Sequence, residues 1–248
     1  MSVELRRPAL VLGALALAFA GSARAQTLDE IVAKNLEARG GLERLESMSS
    51  VRMKGTMSMG PGMEGPFTLE LRRPNAMRAE FELDGRTSVQ AFDGKRGWAL
   101  PPVPDAEPEP IPDEDAEQIA AQADFDGPLV DWKAKGHQVQ LLGREKLGER
   151  EVYRLHVTRK DGGTTDLLLD ATSFLEVRSE SRRVVRGETI EFVSTIGDYR
   201  EVNGLMVPHS IESGPRGSRR TQRLVFEKIE FDVPLDAARF RMPEPRER

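Results

Sequence analysis

The side chains best suited to chemistry are few and scattered. Three histidines, His137, His156 and His209, could bind a metal or act as a general base, since imidazole titrates near neutral pH and is a common zinc ligand. Each stands alone, with no second histidine at i+2, i+3 or i+4, so ordinary surface or core histidines are the simpler reading. Asp166 and Asp170 bracket Leu167-Leu168-Leu169 and would share one side of a strand. Paired acid catalysis also needs one carboxyl with a raised pKa at a defined separation, which spacing alone does not supply, so strand-end turn roles are expected. The chain contains no Gly-x-Ser-x-Gly elbow, P-loop or dinucleotide fingerprint, and no cysteine to serve as a nucleophile. Arg216, Arg219, Arg220 and Arg223 form a basic cluster, but the formal net charge is −5 and aromatics are sparse nearby, so nucleic acid is not an expected partner. No catalytic residue, metal site or cofactor is assigned, and an enzyme is not expected.

What the sequence offers instead is apolar surface at strand spacing. Between Val51 and Leu83, three runs alternate apolar with polar residues, which gives each strand one dry face. The inward series reads Met53, Met57, Met59, Phe67, Leu69, Leu71, Met77, Phe81 and Leu83, and continues with Val89 and Trp98. Methionine is flexible and polarizable, which suits a wall that must fit several acyl-chain shapes. The same pattern also describes an ordinary core, and alternation alone favours that reading.

The elements that would carry this face follow from local signals. Thr27-Leu28-Asp29-Glu30 has the form of a capping box, and Leu28, Ile31, Val32 and Leu36 fall on one helical face before Gly40. A short helical piece, 42–48, leads into the first strand. Gly60-Pro61-Gly62, Pro74-Asn75 and Asp93-Gly94 are turn chemistry at hairpin spacing, so the strands should run antiparallel. Six prolines from Pro101 to Pro112 exclude a central strand or a helix interior, and helical pattern returns from 113 to 123 and at 128–132. From Gln138 to Phe231 seven more strands are expected. About a dozen strands in a hairpin series, with no helix after each, predict an α+β, mainly β fold: one large curved antiparallel sheet. The inserted loop and helices, about 101–135, would form a lid, and residues 26–248 a single domain.

The N-terminus narrows the setting. Arg6 and Arg7, an apolar run from Ala9 to Ala20, and Ala23-Arg24-Ala25 read as a cleavable signal peptide, 1–25. The absence of cysteine excludes disulfides and a lipid-modified cysteine, so a soluble periplasmic protein is expected. Charge is uneven: from Gly97 to Trp132 there are acids but no Lys or Arg.

Several motifs then resemble those of a known family. Arg73-Pro74-Asn75, Asp93-Gly94-Lys95 with Trp98, and Phe240-Arg241-Met242-Pro243 are similar to the bacterial outer-membrane lipoprotein-sorting family, the LolA/LolB-like periplasmic carriers. Phe125-Asp126-Gly127-Pro128-Leu129, Gly136-His137, and Tyr199 through Asn203-Gly204 to Val207-Pro208-His209 resemble a larger branch of it. The resemblance implies a half-open antiparallel barrel with helices over its concave face, holding lipid or lipoprotein acyl chains in an apolar cavity. It makes the eleven inward residues lipid-binding candidates and Arg73 the lid-gating candidate. It also implies a monomer, with membrane proteins of the envelope as possible partners. A protein-binding sensor or scaffold with the same fold and a filled core is the alternative.

Overall fold

The computed structural model describes residues 26–185 and 188–244; the expected signal peptide lies outside them. Thirteen strands form one sheet: β1 Ser50–Ser58, β2 Glu64–Arg72, β3 Ala76–Leu83, β4 Arg86–Phe92, β5 Gly97–Leu100, β6 Glu109–Pro110, β7 Gln138–Leu147, β8 Arg150–Thr158, β9 Thr164–Asp170, β10 Glu176–Val185, β11 Glu188–Val202, β12 Leu205–Pro215 and β13 Gln222–Phe231. Each strand pairs antiparallel with its neighbours in sequence, with two exceptions. β1 pairs with β13, and β6 does not pair with β7, so the sheet curves but stays unclosed. The gap falls where the proline-rich insert lies.

Backbone details explain where the strand pattern slips. Gly55 faces β13 at a bulge, and a Cβ there would sit 1.9 Å from the Val225 carbonyl oxygen, so only glycine permits this approach. The bulge shifts the phase of β13, which lets Leu224 and Phe226, then Ile229 and Phe231, all pack on the same cluster. β7 continues beyond its expected end at Leu142 to Leu147, because a second irregularity between Leu141 and Gly143 breaks the alternation without ending the strand. β6 is a two-residue edge strand inside the proline run, a place where Pro110 lacks an N–H at little cost. Residues 128–132 make turns rather than a helix.

Helix α1, Leu28–Ala38, closes the capping box: Glu30 donates its N–H to Thr27 Oγ1 at 3.3 Å, and Thr27 donates to Glu30 Oε2 at 2.8 Å. Its buried residues Ile31 and Val32 pack onto Val139, Tyr153, Leu155, Val157, Leu167 and Leu169 of β7–β9, so α1 fills one half of the concavity. Helix α2, Leu42–Ser47, contributes Leu45. Helix α3, Asp113–Gln122, covers part of the other half with Ile119, next to Ala123, against Met77 and Phe92.

The outer face is covered as well. After β13 the chain runs across the outside of β2–β5 and forms a 3-10 turn, Ala237–Phe240. Trp98 Nε1 donates to the Phe240 carbonyl at 2.9 Å. Glu70, 2% exposed, accepts from Arg52 at 2.7 Å and from Arg239 at 2.9 Å, which supplies the pairing a buried carboxylate requires.

Candidate functional site

Because α1 occupies only one half of the concave face, a cavity of about 730 Å³ remains on the other, between β1–β5, α3 and β11–β13. That volume lies within the ~300–1,000 Å³ range of small-molecule sites. Met57, Phe67, Leu69, Met77, Phe81 and Val89 line it, six of the eleven residues expected on the inner wall. Met53, Met59, Leu71 and Leu83 pack in or against the same apolar cluster without bordering the cavity.

Val89 and Trp98 correct the expected series. Residues directly opposite across an antiparallel pair point to one side. Val89 faces Glu80, while Trp98 faces Ala91, which faces Arg78; these belong to the outer face. Val89 borders the cavity, but its side chain packs with Ala91 and Trp98. The physical reason is the covering C-terminal segment: β4 turns its polar Ser88 and Gln90 toward the cavity and its apolar Val89 and Ala91 outward beneath that segment, and a period of two cannot say which face is concave.

Sequence reasoning missed the far wall. Leu224 of β13 and Phe192 of β11 also line the cavity, as does Ala79. Leu224 and Phe226 carry the same alternation as β1, but nothing local shows that β13 lies beside β1. The lining is also more polar than an acyl wall requires, with Ser88, Gln90, Gln118, Gln122 and Gln222 among its residues.

Arg73 sits just after β2 and makes a dense set of contacts. Its Nη1 and Nη2 donate to the two carboxylate oxygens of Asp126 at 2.5 Å each, a bidentate pair. Nε donates to the Met48 carbonyl at 2.6 Å, and Nη2 also reaches the Leu45 carbonyl at 2.8 Å. The guanidinium lies 4.7 Å from the Phe125 ring centroid. The Asp126 hydrogen bond holds the Arg73 pKa above the usual arginine value. Asp126 is gripped a second time, since Arg39 Nη2 donates to its carbonyl at 3.0 Å. Lys135 Nζ ties the returning chain to Asp124 at 2.7 Å and to the Gly127 carbonyl at 2.9 Å. The segment following α3 is therefore clamped to the sheet and to α2 through Arg73.

Behind this clamp lies a polar seam between the filled and open halves. Burial lowers the Arg39 pKa and pushes the Glu176 carboxyl up to about 7, against the opposing pull of Arg39 and a Ser179 hydrogen bond. Burial, and then Glu176, raises the Tyr199 pKa; the Tyr199 hydroxyl donates to the Glu176 carbonyl at 2.8 Å.

The three histidines lie apart in separate environments. His156 Nδ1 meets Asp166 at 2.6 Å, His209 is buried with Nδ1 3.0 Å from the Val207 carbonyl, and His137 Nδ1 accepts from the Lys160 N–H. Among the described residues no group of three or more His, Cys, Asp or Glu could hold a metal. Asp170 is the turn residue expected: burial pulls its pKa up, but the N–H groups of Ser173 and Thr172 that donate to it together outweigh that and lower it. Asp166 is not: it lies within β9, paired to Arg154 at 2.8 Å.

The architecture is that of a half-open barrel with a clamped cover over an internal cavity. No protein-family model matches the sequence, and no curated protein does. Solved structures place the fold more narrowly. A DUF1329 family protein from Desulfovibrio piger ATCC 29098 superposes with a TM-score of 0.59 at 12% identity, over 86% of this chain and 96% of that one. A LolA superfamily protein from Nitrosomonas europaea gives 0.57 at 17% identity, over 88% and 98%. An outer membrane lipoprotein-sorting protein domain from Vibrio parahaemolyticus gives 0.54 at 12%, over 85% and 94%. The fold is LolA-like, the one the sequence motifs resemble.

Proposed function

We propose that the protein is a soluble periplasmic carrier of the outer-membrane lipoprotein-sorting type, which takes the acyl chains of a lipid or lipoprotein into the concave cavity. The observation that carries this reading is the 730 Å³ space walled by Met57, Phe67, Leu69, Met77 and Phe81, which α1 leaves unfilled. Each methylene transferred from water to this wall contributes about 0.8 kcal/mol. In this reading residues 1–25 direct export, the mature chain acts as one domain and a monomer, and its partners are acyl chains and the membrane proteins of the envelope that load or unload it. The protein carries cargo and does no covalent chemistry on it. Arg73 acts as the gate, because releasing Asp126 frees the segment that follows α3. Protein purified from its host and extracted for mass spectrometry should yield lipid, and a fluorescent fatty acid should be taken up and displaced by unlabelled chains. Failure of both would defeat the proposal.

A further inference from the structure

The face of the sheet opposite the cavity holds a second concavity of about 580 Å³, between the β4–β5 turn, Pro110 and the C-terminal segment. Three cations line it, Lys95, Arg96 and Arg241, and among the described residues none of their side chains has an acidic partner. The one carboxylate in the lining, Asp93, is already engaged: its Oδ1 accepts the backbone N–H groups of Lys95 and Arg96 at 2.9 and 2.8 Å. Elsewhere on this face arginines do find acids, as Arg52 and Arg239 do on Glu70 and Arg78 does on Glu80. The unpaired trio is therefore a local excess of positive charge on a chain whose formal net charge is −5. The rim is partly apolar, with Trp98 at the base and Met242 45% exposed.

Three cations lining one concavity suit an anion, and two guanidinium groups can each offer paired N–H donors to phosphate oxygens. We propose that this outer-face concavity is a binding site for a phosphate group, held by Lys95, Arg96 and Arg241 and separate from the acyl-chain cavity. A lipid headgroup at a membrane surface and a free phosphate compound share this chemistry, and the exposed Met242 beside the cations favours the headgroup.

The test uses the mature protein and two probes, vesicles of phosphatidylglycerol or phosphatidylcholine in flotation, and inorganic phosphate or pyrophosphate in calorimetry. The variants are Lys95→Glu, Arg96→Glu and Arg241→Glu. All three side chains are at the surface, and circular dichroism and melting temperature check that each variant folds. Binding to phosphatidylglycerol but not phosphatidylcholine, weakened about five- to ten-fold by one reversal and further by added salt, supports a headgroup site. Saturable phosphate or pyrophosphate binding that the same variants weaken supports a soluble ligand. Binding of neither probe, or binding that folded variants leave unchanged, overturns the proposal. Capture of an acidic peptide with no binding of either phosphate probe overturns it too. Acyl-chain uptake is read in parallel, so loss of this site does not imply loss of the cavity.

Discussion

The clamp on Asp126 lends itself to a double-mutant cycle with Arg73. The pair is bidentate at 2.5 Å, with side chains 28% and 13% exposed, between the surface and buried limits. Exposed pairs contribute about 0.2–1 kcal/mol, and breaking a buried pair costs about 3–5 kcal/mol, which brackets a coupling of about 2 kcal/mol here. Asp126→Asn should therefore raise local opening about 30-fold. Arg73→Leu should do more, because it also strips the Met48 and Leu45 carbonyls of their donor and the Phe125 ring of its cation. Hydrogen exchange reads this residue by residue. The amides of Gly127, Lys135 and Gly136, bonded within the segment, should exchange faster, while those of β8 and β9 keep their protection. A uniform acceleration across the sheet, or a coupling below about 0.5 kcal/mol in the cycle, would refute the gate.

Other expectations follow from single residues. Ala79→Trp should obstruct the cavity and weaken fatty-acid uptake with little change in melting temperature, measured by displacement and by calorimetry. Gly55→Ala should cost at least about 3 kcal/mol, read by urea unfolding, because its methyl would meet the Val225 carbonyl at 1.9 Å. Glu176 holds its proton more tightly folded than unfolded, its pKa rising from 4.5 to about 7, so its contribution to stability is full below pH 4.5 and is lost as pH rises to 7. The groups facing it are Arg39, Tyr199 and Ser179. Glu176→Gln should flatten that slope and make the protein more stable than wild type at pH 8, in urea titrations across pH.

The fold was legible because its hairpins announce themselves locally. Thr27 and Glu30 form the capping box that their spacing predicts, and Asp93-Gly94 turns β4 into β5. What escaped was set by partners distant in sequence. The pairing of β1 with β13 left Leu224 unrecognised as a cavity residue, and the segment covering Trp98 reversed the face on which it belongs. Arg73 stands out only through its motif, whereas nothing local in Phe125-Asp126-Gly127-Pro128-Leu129 points Asp126 to a partner 53 residues away.

The pairing of β1 with β13 also bears on how the chain reaches this structure. Every other seam joins strands adjacent along the chain, so the two halves, β1–β6 and β7–β13, can each grow by local zippering. Their junction must wait for β13 to be synthesised, and until then the β1 edge is an unsatisfied template open to wrong partners. Closing that junction carries the largest loop entropy of any seam and should limit the folding rate. A nascent chain of this topology stays incompletely folded until β13 has been synthesised, with its first half held only by its own hairpins.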